Sequence, residues 1–425
     1  MNDTILDAPT MRPRAGHDLP DGIRGEVAAL RLADPNLEPV RRALLDGRRL
    51  GLDEALAGLA TPDLFGLAGL AHAVKRARFG DVVTYVLNRQ LNPTNVCVLD
   101  CAFCDFAARP GAAHAYELSE EEIAAAVRGP IREVHIVGGL HPRWRFDDYL
   151  EVVRLVRRLR PDVQIKAYTA VEIDYFARKA RLSAREVLLA LREAGVSTLP
   201  GGGAEVFSER VRRLLFRRKI GAERWLEIHR TAHELGMPTG ATMLYGHLET
   251  PEERARHMIR LREAQDESGG FRAFIPLAYQ PGPAPGAARP PSGQPLARRA
   301  AGHPLPRQTT SAPDDIRTLA TARLLLDNVD HVKAYWIMLG LASATLALGA
   351  GASDVDGTVG RERIAHAAGA TTPEELTREF LERMIRDAGA VPRERDALYR
   401  VLPATSPPGE GVPRGARSRA LGVAP

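Results

Sequence analysis

The chain has 425 residues, of which 44% are hydrophobic and 26% charged, a composition typical of a globular protein with a large core. The formal net charge is +5, but the 58 basic residues are spread along the chain. The one dense basic run, residues 212–219, is interpreted as a solvated helix face, so no nucleic-acid partner is expected. The apolar segment 335–352 contains Gly, Ser and Thr and is interpreted as a buried strand and helix rather than a membrane span.

Composition changes at both ends of the chain. Residues 1–26 are polar and rich in turn-forming residues, which predicts a disordered N terminus. In residues 27–82 the apolar side chains follow the helical repeat, which predicts a helical extension. Residues 403–425 are again predicted to be disordered.

Eight short apolar runs follow the helical extension, and amphipathic helical segments separate most of them. The runs are 83–91, 133–138, 164–169, 197–201, 239–245, 272–279, 331–338 and 353–357. Alternation of strands and helices predicts an α/β fold with a parallel sheet, and eight units predict a (βα)8 TIM-type barrel over residues 83–400. Residues 280–313, rich in Pro and Ala, are predicted to form a long loop on the face where the strands end.

All three cysteines lie within eight residues, directly after the first predicted strand: Cys97, Cys101 and Cys104. The odd number argues against a disulfide framework and favours a cytoplasmic location. Three thiolates this close can hold three irons of a [4Fe–4S] cluster and leave the fourth iron open to a substrate. A zinc site and buried cysteines without a ligand are the alternatives.

Polar residues within or just after the predicted strands are candidates for substrate binding. His135 and Lys166 lie in mid-strand, so strand alternation predicts that both point into the barrel, where they could hold an anionic substrate. His141 and His247 follow strands on the catalytic face and could bind carboxylates. Lys333 lies near the start of its strand and is assigned to the opposite, stability face.

The C-x3-C-x2-C spacing after the first strand of a barrel resembles the radical S-adenosylmethionine (SAM) superfamily. Longer stretches are similar to the aminodeoxyfutalosine synthase family of the futalosine route to menaquinone. These include LNPTNVCVLDCAFCDF, EVHIVGGLHP, IKAYTAVEI, LPGGGAEVF and ATMLYGHLET. The resemblance extends over residues 50–400 and implies two cofactors, a [4Fe–4S] cluster and SAM, the latter as co-substrate.

The resemblance also implies SAM-binding roles for residues at the strand ends. Gly138 and Gly139 would contact the amino group of SAM, and Glu172 would bind the ribose hydroxyls.

Three further residues are assigned to the adenine side of the site on the same resemblance. Phe103 would shield the cluster and present its backbone to the adenine. Gly246 and Glu249 belong to a motif that would lie beside the adenine.

The implied reaction is addition of the 5′-deoxyadenosyl radical to 3-[(1-carboxyvinyl)oxy]benzoate, followed by rearrangement and loss of CO2 to give 6-amino-6-deoxyfutalosine. The implied partners are this dianionic aromatic enol ether and a low-potential electron donor of the flavodoxin or ferredoxin type. The dehypoxanthinylfutalosine cyclase and the hydroxyphenyl transferase of deazaflavin synthesis are the alternatives within the superfamily. A metal-binding barrel without catalytic activity is the alternative outside it.

Overall fold

The computed structural model describes residues 16–282, 299–300, 303–306 and 308–403. The strands within these ranges are β1 Val82–Val86, β2 Asn88–Leu91, β3 Glu133–Ile136, β4 Gln164–Ala167, β5 Val196–Thr198, β6 Thr239–Tyr245, β7 Phe271–Ala278, β8 Arg299–Ala300, β9 His303–Pro304, β10 His331–Val332, β11 Asp354–Gly357 and β12 Val391–Glu394.

The helices begin with α1 Asp21–Ala29, α2 Glu38–Leu45, α3 Leu52–Ala60 and α4 Leu64–Phe79, with a short 3-10 turn at Pro35–Leu37. Those that follow are α5 Glu120–Ala126, α6 Phe146–Leu159, α7 Ala170–Ala180, α8 Ala184–Ala194, α9 Glu209–Leu215, α10 Ala222–Glu234, α11 Pro251–Ser268, α12 Ala312–Leu325, α13 Trp336–Leu339, α14 Leu341–Leu348, α15 Ile364–Ala367 and α16 Arg378–Asp387.

Parallel strands close into a barrel. One sheet has the order β2-β3-β4-β5, a second β10-β7-β6, and a third β11-β1-β12. Single parallel bridges, Leu199 with Thr239 and Lys333 with Asp354, join β5 to β6 and β10 to β11. Because β1 and β2 are two halves of one strand, the ring has eight positions, which confirms the predicted (βα)8 barrel.

Several helices begin with a capping box, in which the side chains of a Ser or Thr and of the Glu three residues later each accept the backbone N–H of the other residue. All of them except α8, which follows α7, come after a strand and its loop. The pairs are Ser119 with Glu122, Thr169 with Glu172, Ser183 with Glu186 and Thr250 with Glu253. Each cap fixes the residue at which the loop ends and the helix begins. The caps therefore fix where a side chain at the carboxyl end of a strand enters the barrel mouth.

The N-terminal helices belong to the same body as the barrel. Helix α1 begins at Asp21, so the predicted disordered segment 1–26 extends too far, while residues 1–15 lie outside the described ranges. Helices α3 and α4 pack against α11 and α12 of the barrel, and their apolar side chains belong to the main core. The predicted helical extension is therefore docked on the barrel wall.

Two strand predictions are altered by the structure. The run 331–338 is a strand only at His331–Val332, and a helix starts at Trp336, because a short apolar run does not distinguish a buried strand from a buried helix. The predicted loop 280–313 contains a two-residue antiparallel pair, β8 with β9, and ends where α12 begins at Ala312. Its residues 283–298, 301–302 and 307, like the predicted tail from residue 404, lie outside the described ranges.

In the described part of the chain, no helix combines the length and the apolar character needed to cross a membrane. The apolar segment 335–352 instead contains the short helices α13 and α14, which agrees with its interpretation as buried structure.

Strand β12, which the sequence pattern did not predict, brings the C-terminal segment under the barrel. It pairs with β1 from Val82 opposite Val391 onwards. The next residue, Arg395, forms two hydrogen bonds to the Asp354 carboxylate, at 2.5 and 3.1 Å, and both side chains have 0% exposure. The Tyr399 ring lies 3.9 Å from the Arg395 guanidinium and stacks on His331. These four residues are called the barrel floor below.

Breaking the ion pair between Arg395 and Asp354 should strongly destabilise the fold. Arg395→Met would leave the Asp354 carboxylate buried without its partner, so we expect the free energy of unfolding to fall by about 3–5 kcal/mol, measured by urea denaturation. The control is Arg154→Met, which removes an exposed pair with Glu151 and should cost less than about 1 kcal/mol. Equal effects of the two substitutions would contradict this role of the floor.

Candidate active site

A cavity of about 360 Å³ lies inside the barrel and reaches from the carboxyl ends of the strands down to the floor. The segment 92–119, which joins β2 to α5 and is called the cysteine loop below, covers one side of its mouth. Cys97, Cys101 and Cys104 all line the cavity, and all three are free thiols. The structure therefore brings the three predicted ligands to one wall of one cavity.

Backbone hydrogen bonds fix the cysteine loop to the barrel. The Cys97 N–H donates to Ala108 O at 2.9 Å, within the loop, and the Val98 N–H donates to Leu140 O at 3.1 Å, just after β3. The Ala102 N–H donates to Leu215 O at 2.8 Å, at the end of α9. Two of these hydrogen bonds join the loop to other elements and the third lies within the loop, which favours a preformed site.

The donor set suits an iron–sulfur cluster. Burial raises the pKa of the Cys101 thiol to about 12, opposed by the charge of Lys219, so a cation is needed to hold this sulfur as thiolate. Among the described residues, no three His, Cys, Asp or Glu side chains are grouped round a single ion-sized point. Three free thiols of one loop on one cavity wall suit a cluster in which each sulfur binds a different iron.

Lys219 and Glu205 form a buried ion pair beside the cysteine loop. Their side chains are 13% and 10% exposed, and the Lys219 Nζ lies 5.2 Å from the Phe103 ring centroid and 5.9 Å from that of Phe216. Glu205 has a φ of +50°, a left-handed conformation that is uncommon for a residue with a side chain and tends to occur at functional sites. Both residues of the pair and Phe103 line the cavity.

The interpretation of residues 212–219 as a solvated helix face is therefore wrong at its C-terminal end. Helix α9 ends at Leu215, and the chain then turns so that Phe216 is buried and Lys219 reaches the cavity. Arg213 on the helix and Arg217 and Arg218 in the turn remain exposed.

Gly138 and Gly139 lie where β3 meets the cysteine loop. The Gly139 N–H donates to Thr94 O at 2.8 Å, and a Cβ on Gly139 would lie 2.2 Å from Val96 O, so only glycine allows this close approach. The Gly138 N–H donates to Glu172 at 3.0 Å. An amino group donates hydrogen bonds, so contact with the amino group of SAM would fall to the carbonyl oxygens of these glycines.

Glu172 is buried at the first turn of α7 and lines the cavity. One of its carboxylate oxygens accepts from Gly138, and the other accepts from the N–H and the hydroxyl of Thr169, both at 2.7 Å. Burial, opposed by these hydrogen bonds, raises the pKa of Glu172 to about 7. A carboxylate has about four lone-pair positions, so one acceptor position remains for a hydroxyl of a ligand.

His135 and Lys166 both line the cavity, as strand alternation predicted for their orientation. They lie opposite each other in the pairing of β3 with β4, and Gln90 lies opposite His135 in the pairing of β2 with β3. Lys166 is not a free cation, because its Nζ lies 2.8 Å from both carboxylate oxygens of the buried Glu133. An anionic substrate would therefore have to compete with Glu133 for the Lys166 ammonium group.

His141 lies outside the cavity lining. Its Nδ1 accepts the backbone N–H groups of Arg143 and Trp144, and its Nε2 lies 3.2 Å from the Glu117 carboxylate. In this structure the side chain shapes the loop between β3 and α6.

Gly246, His247 and Glu249 also lie outside the cavity lining, in the turn after β6. The Glu249 carboxylate accepts from the N–H groups of Gly246 and His247 and forms an ion pair with Arg254 at 2.8 Å. The His247 Nε2 lies 3.0 Å from Leu244 O. The contacts of these three residues hold the turn together, and their predicted roles towards adenine or carboxylates stay predictions.

Several lining residues escaped the sequence analysis: Gln90, Glu205, Lys219, Tyr279, Lys333 and Asp356. Lys333, assigned to the stability face, lies in the cavity because β10 has only two residues and Lys333 follows it directly. A signal for Gln90 was present in the chain, since it is a polar residue within the predicted strand run 83–91.

Glu172 supports a prediction on pH dependence. Its ionised form accepts a hydroxyl hydrogen bond better than its protonated form, so SAM affinity should rise as the pH is raised through about 7. Glu172→Gln should remove this transition. The control is Glu186→Gln, at the same capping position of α8 but exposed to solvent. SAM dissociation constants measured from pH 5.5 to 8.5 test this, and an unchanged transition in Glu172→Gln would contradict it.

Comparison with known sequences agrees with this site. The radical SAM superfamily matches residues 91–261, and the CofH/MqnC C-terminal region matches residues 297–407. The aminodeoxyfutalosine synthase of Thermus thermophilus is 47% identical over 87% of this chain and 96% of its own length. That of Streptomyces coelicolor is 43% identical over 84% and 91%. A 5-amino-6-(D-ribitylamino)uracil–L-tyrosine 4-hydroxyphenyl transferase of Methanoculleus marisnigri is 38% identical over 87% and 98%.

Solved structures agree in fold. Methylornithine synthase superposes with a TM-score of 0.62 at 18% identity, over 83% of this chain and 97% of that chain. The hydrogenase maturase HydG superposes with a TM-score of 0.62 at 17% identity, over 89% and 81%. The sequence matches, the barrel and the three thiols on one cavity wall agree, and the chain is a radical SAM enzyme that belongs to the radical SAM superfamily.

Proposed function

We propose that the chain is an aminodeoxyfutalosine synthase of menaquinone biosynthesis. The observation that carries this proposal is the pair of aminodeoxyfutalosine synthases at 47% and 43% identity, each matched over more than nine-tenths of its own length. The match to the radical SAM superfamily spans residues 91–261, a range that contains the cysteine loop. The reaction would be transfer of the 5′-deoxyadenosyl group of SAM to 3-[(1-carboxyvinyl)oxy]benzoate, with rearrangement and decarboxylation to 6-amino-6-deoxyfutalosine.

Cys97, Cys101 and Cys104 would hold a [4Fe–4S] cluster, since each is a free thiol on the cavity wall. Gly138, Gly139 and Glu172, at the neighbouring strand ends, supply acceptors for the amino and ribose groups of SAM. When bound, the cluster and SAM would supply the 5′-deoxyadenosyl radical. A low-potential electron donor of the flavodoxin or ferredoxin type and a cytoplasmic location complete this proposal.

The cavity wall suits radical chemistry because much of it is apolar. Leu199, Ile275, Leu277 and Met338 line it together with Tyr335. These side chains exclude water, which protects a reactive intermediate and leaves the aromatic ring of a substrate an apolar surface to pack against. The residues of the cavity wall would orient the substrate and keep solvent away from it.

The second candidate activity is that of the hydroxyphenyl transferases, because one of them is 38% identical over 98% of its length. The two activities differ in their substrates. An enol ether with two carboxylates serves the first, whereas the printed name of the relative specifies L-tyrosine and 5-amino-6-(D-ribitylamino)uracil. Both sets should be offered to the same enzyme preparation.

The cluster assignment predicts that Cys101→Ser abolishes turnover. The change removes one of three iron ligands, so the anaerobically reconstituted protein should lose the visible absorption of the cluster while its far-UV circular dichroism stays that of wild type. Ala102→Ser, which adds a hydroxyl to the same loop but keeps all thiols, is the control. Turnover by Cys101→Ser would contradict the assignment.

The substrate assignment predicts the origin of the product carbons. With reductant, SAM labelled with carbon-13 in its adenosyl group and the carboxyvinyloxybenzoate, mass spectrometry should find the label in 6-amino-6-deoxyfutalosine together with released CO2. Formation of 5′-deoxyadenosine alone would contradict the proposal. Product formed from tyrosine and the ribityl uracil would establish the second candidate instead.

A further inference from the structure

His135 lines the cavity and carries a buried ring nitrogen without a partner in the described part of the chain. It lies level with Gln90 and Lys166 on the two neighbouring strands, and all three line the cavity. The Nε2 atom of His135 is buried and has no hydrogen-bond partner among the residues that the structure describes. Buried polar atoms in folded proteins nearly always have partners, so an orphaned one at a cavity wall points to a ligand.

The cations of the cavity wall already have anionic partners. Lys166 pairs with Glu133, Lys219 with Glu205, and Lys333 with Asp356, with Asp354 a further 3.6 Å contact of Lys333. Arg272, at the start of β7, lies 4.0 Å from Asp330. Against these four cations, the described lining carries five acidic side chains, namely Asp105, Glu172, Glu205, Asp356 and Glu362.

Charged groups of both signs surround His135. Glu133 lies on its own strand, Lys166 on β4, Lys333 directly after β10 and Asp356 on β11. Burial, with the charge of Lys166 next, lowers the pKa of His135 to about 4. The imidazole of the free enzyme is therefore neutral near neutral pH, and it can accept a proton if a nearby negative charge is added.

The proposed substrate adds such charge. It carries two carboxylates, whereas the wall provides no surplus cation within the described residues. An oxidised cluster on three thiolates would carry a net negative charge, and SAM bound through its amino nitrogen and carboxylate would carry none, so these two groups would supply no counter-charge. Burying carboxylates without a counter-charge is costly, and a proton taken up beside them supplies that charge.

We propose that His135 takes up a proton when the dianionic substrate binds, and that the imidazolium formed holds one of the substrate carboxylates by a charge-assisted hydrogen bond. This inference rests on the proposed function, since it requires an anionic substrate in the cavity. It makes His135 a binding residue whose charge appears only in the complex. The proton comes from solvent and returns to solvent when the decarboxylated product leaves.

Calorimetric titration tests the proposal. Holoenzyme with an oxidised cluster and bound SAM, without reductant so that no turnover occurs, is titrated with 3-[(1-carboxyvinyl)oxy]benzoate in Tris and in phosphate at the same pH. The difference in heat should correspond to uptake of about one proton per bound substrate near pH 7.5. The dissociation constant should fall about tenfold for each unit by which the pH is lowered towards 6.

His135→Gln keeps a polar side chain that cannot be protonated, so proton uptake should vanish and affinity should fall about tenfold to a hundredfold. His135→Phe is a second variant with the same expected loss of uptake. Unchanged cluster content and SAM affinity would show that each variant is folded. The control is His72→Gln, a half-buried neutral histidine of α4 that also has an unpartnered ring nitrogen but lies outside the cavity; it should bind and take up the proton like wild type.

Two outcomes would overturn the proposal while leaving the proposed function intact: substrate binding by wild type without proton uptake, or uptake that persists in both His135 variants. The second outcome would assign the proton to another acidic group of the wall, with Glu172 the first to test. Absence of any binding of the enol ether to wild type would overturn the proposed substrate, and this inference with it.

Discussion

Buried charges inside the barrel have to be neutralised where they lie, and this constraint organises the whole interior. Glu133 with Lys166, Asp356 with Lys333 and Asp354 with Arg395 are pairs of opposite charge on neighbouring strands or on the C-terminal segment. Removing one partner of such a pair costs more free energy of unfolding than the intact pair gains over two packed apolar side chains. The pairs therefore determine which segments meet more than they add to stability. The result is a cavity with a rigid base and no spare cation in its described wall.

This arrangement separates two tasks along one cavity. The cysteine loop follows the carboxyl end of β2, whereas the paired carboxylates Glu133 and Asp354 lie at the starts of β3 and β11, towards the floor. Radical chemistry at the mouth and recognition of anions deeper in the barrel can therefore be altered independently. Methylornithine synthase and HydG have the same fold at 18% and 17% identity. Fold alone does not decide activity, so specificity must reside in lining residues such as Gln90, His135 and Tyr279.

The sequence was informative where chemistry and periodicity are local. Three cysteines in eight residues predicted the thiol site, and strand alternation placed His135 and Lys166 correctly inside the barrel. The sequence did not reveal ion-pair partners that are distant along the chain. Nothing in the sequence near Lys166 showed that Glu133, on the adjacent strand, would pair with it. Nor did the pattern show that Arg395, just after the unpredicted strand β12, would reach Asp354.

Residues after the strands were the hardest to interpret. His141, His247 and Glu249 follow strands on the expected face, yet the backbone N–H groups of their own loops use their polar atoms. Lys219 showed the opposite error, since a basic run typical of a solvated helix ends in a turn that buries its last residue beside the thiols. Loop geometry decides both cases, and spacing in the sequence does not encode it.

The central claim is that three thiols of one loop hold a cluster with one iron open to SAM. Electron–nuclear double resonance of the reduced, SAM-bound holoenzyme tests this most directly, with SAM labelled by nitrogen-15 in its amino group and oxygen-17 in its carboxylate. The account predicts hyperfine coupling of both labels to the cluster. A cluster spectrum that does not change when SAM is added, with no coupling to either label, would contradict it.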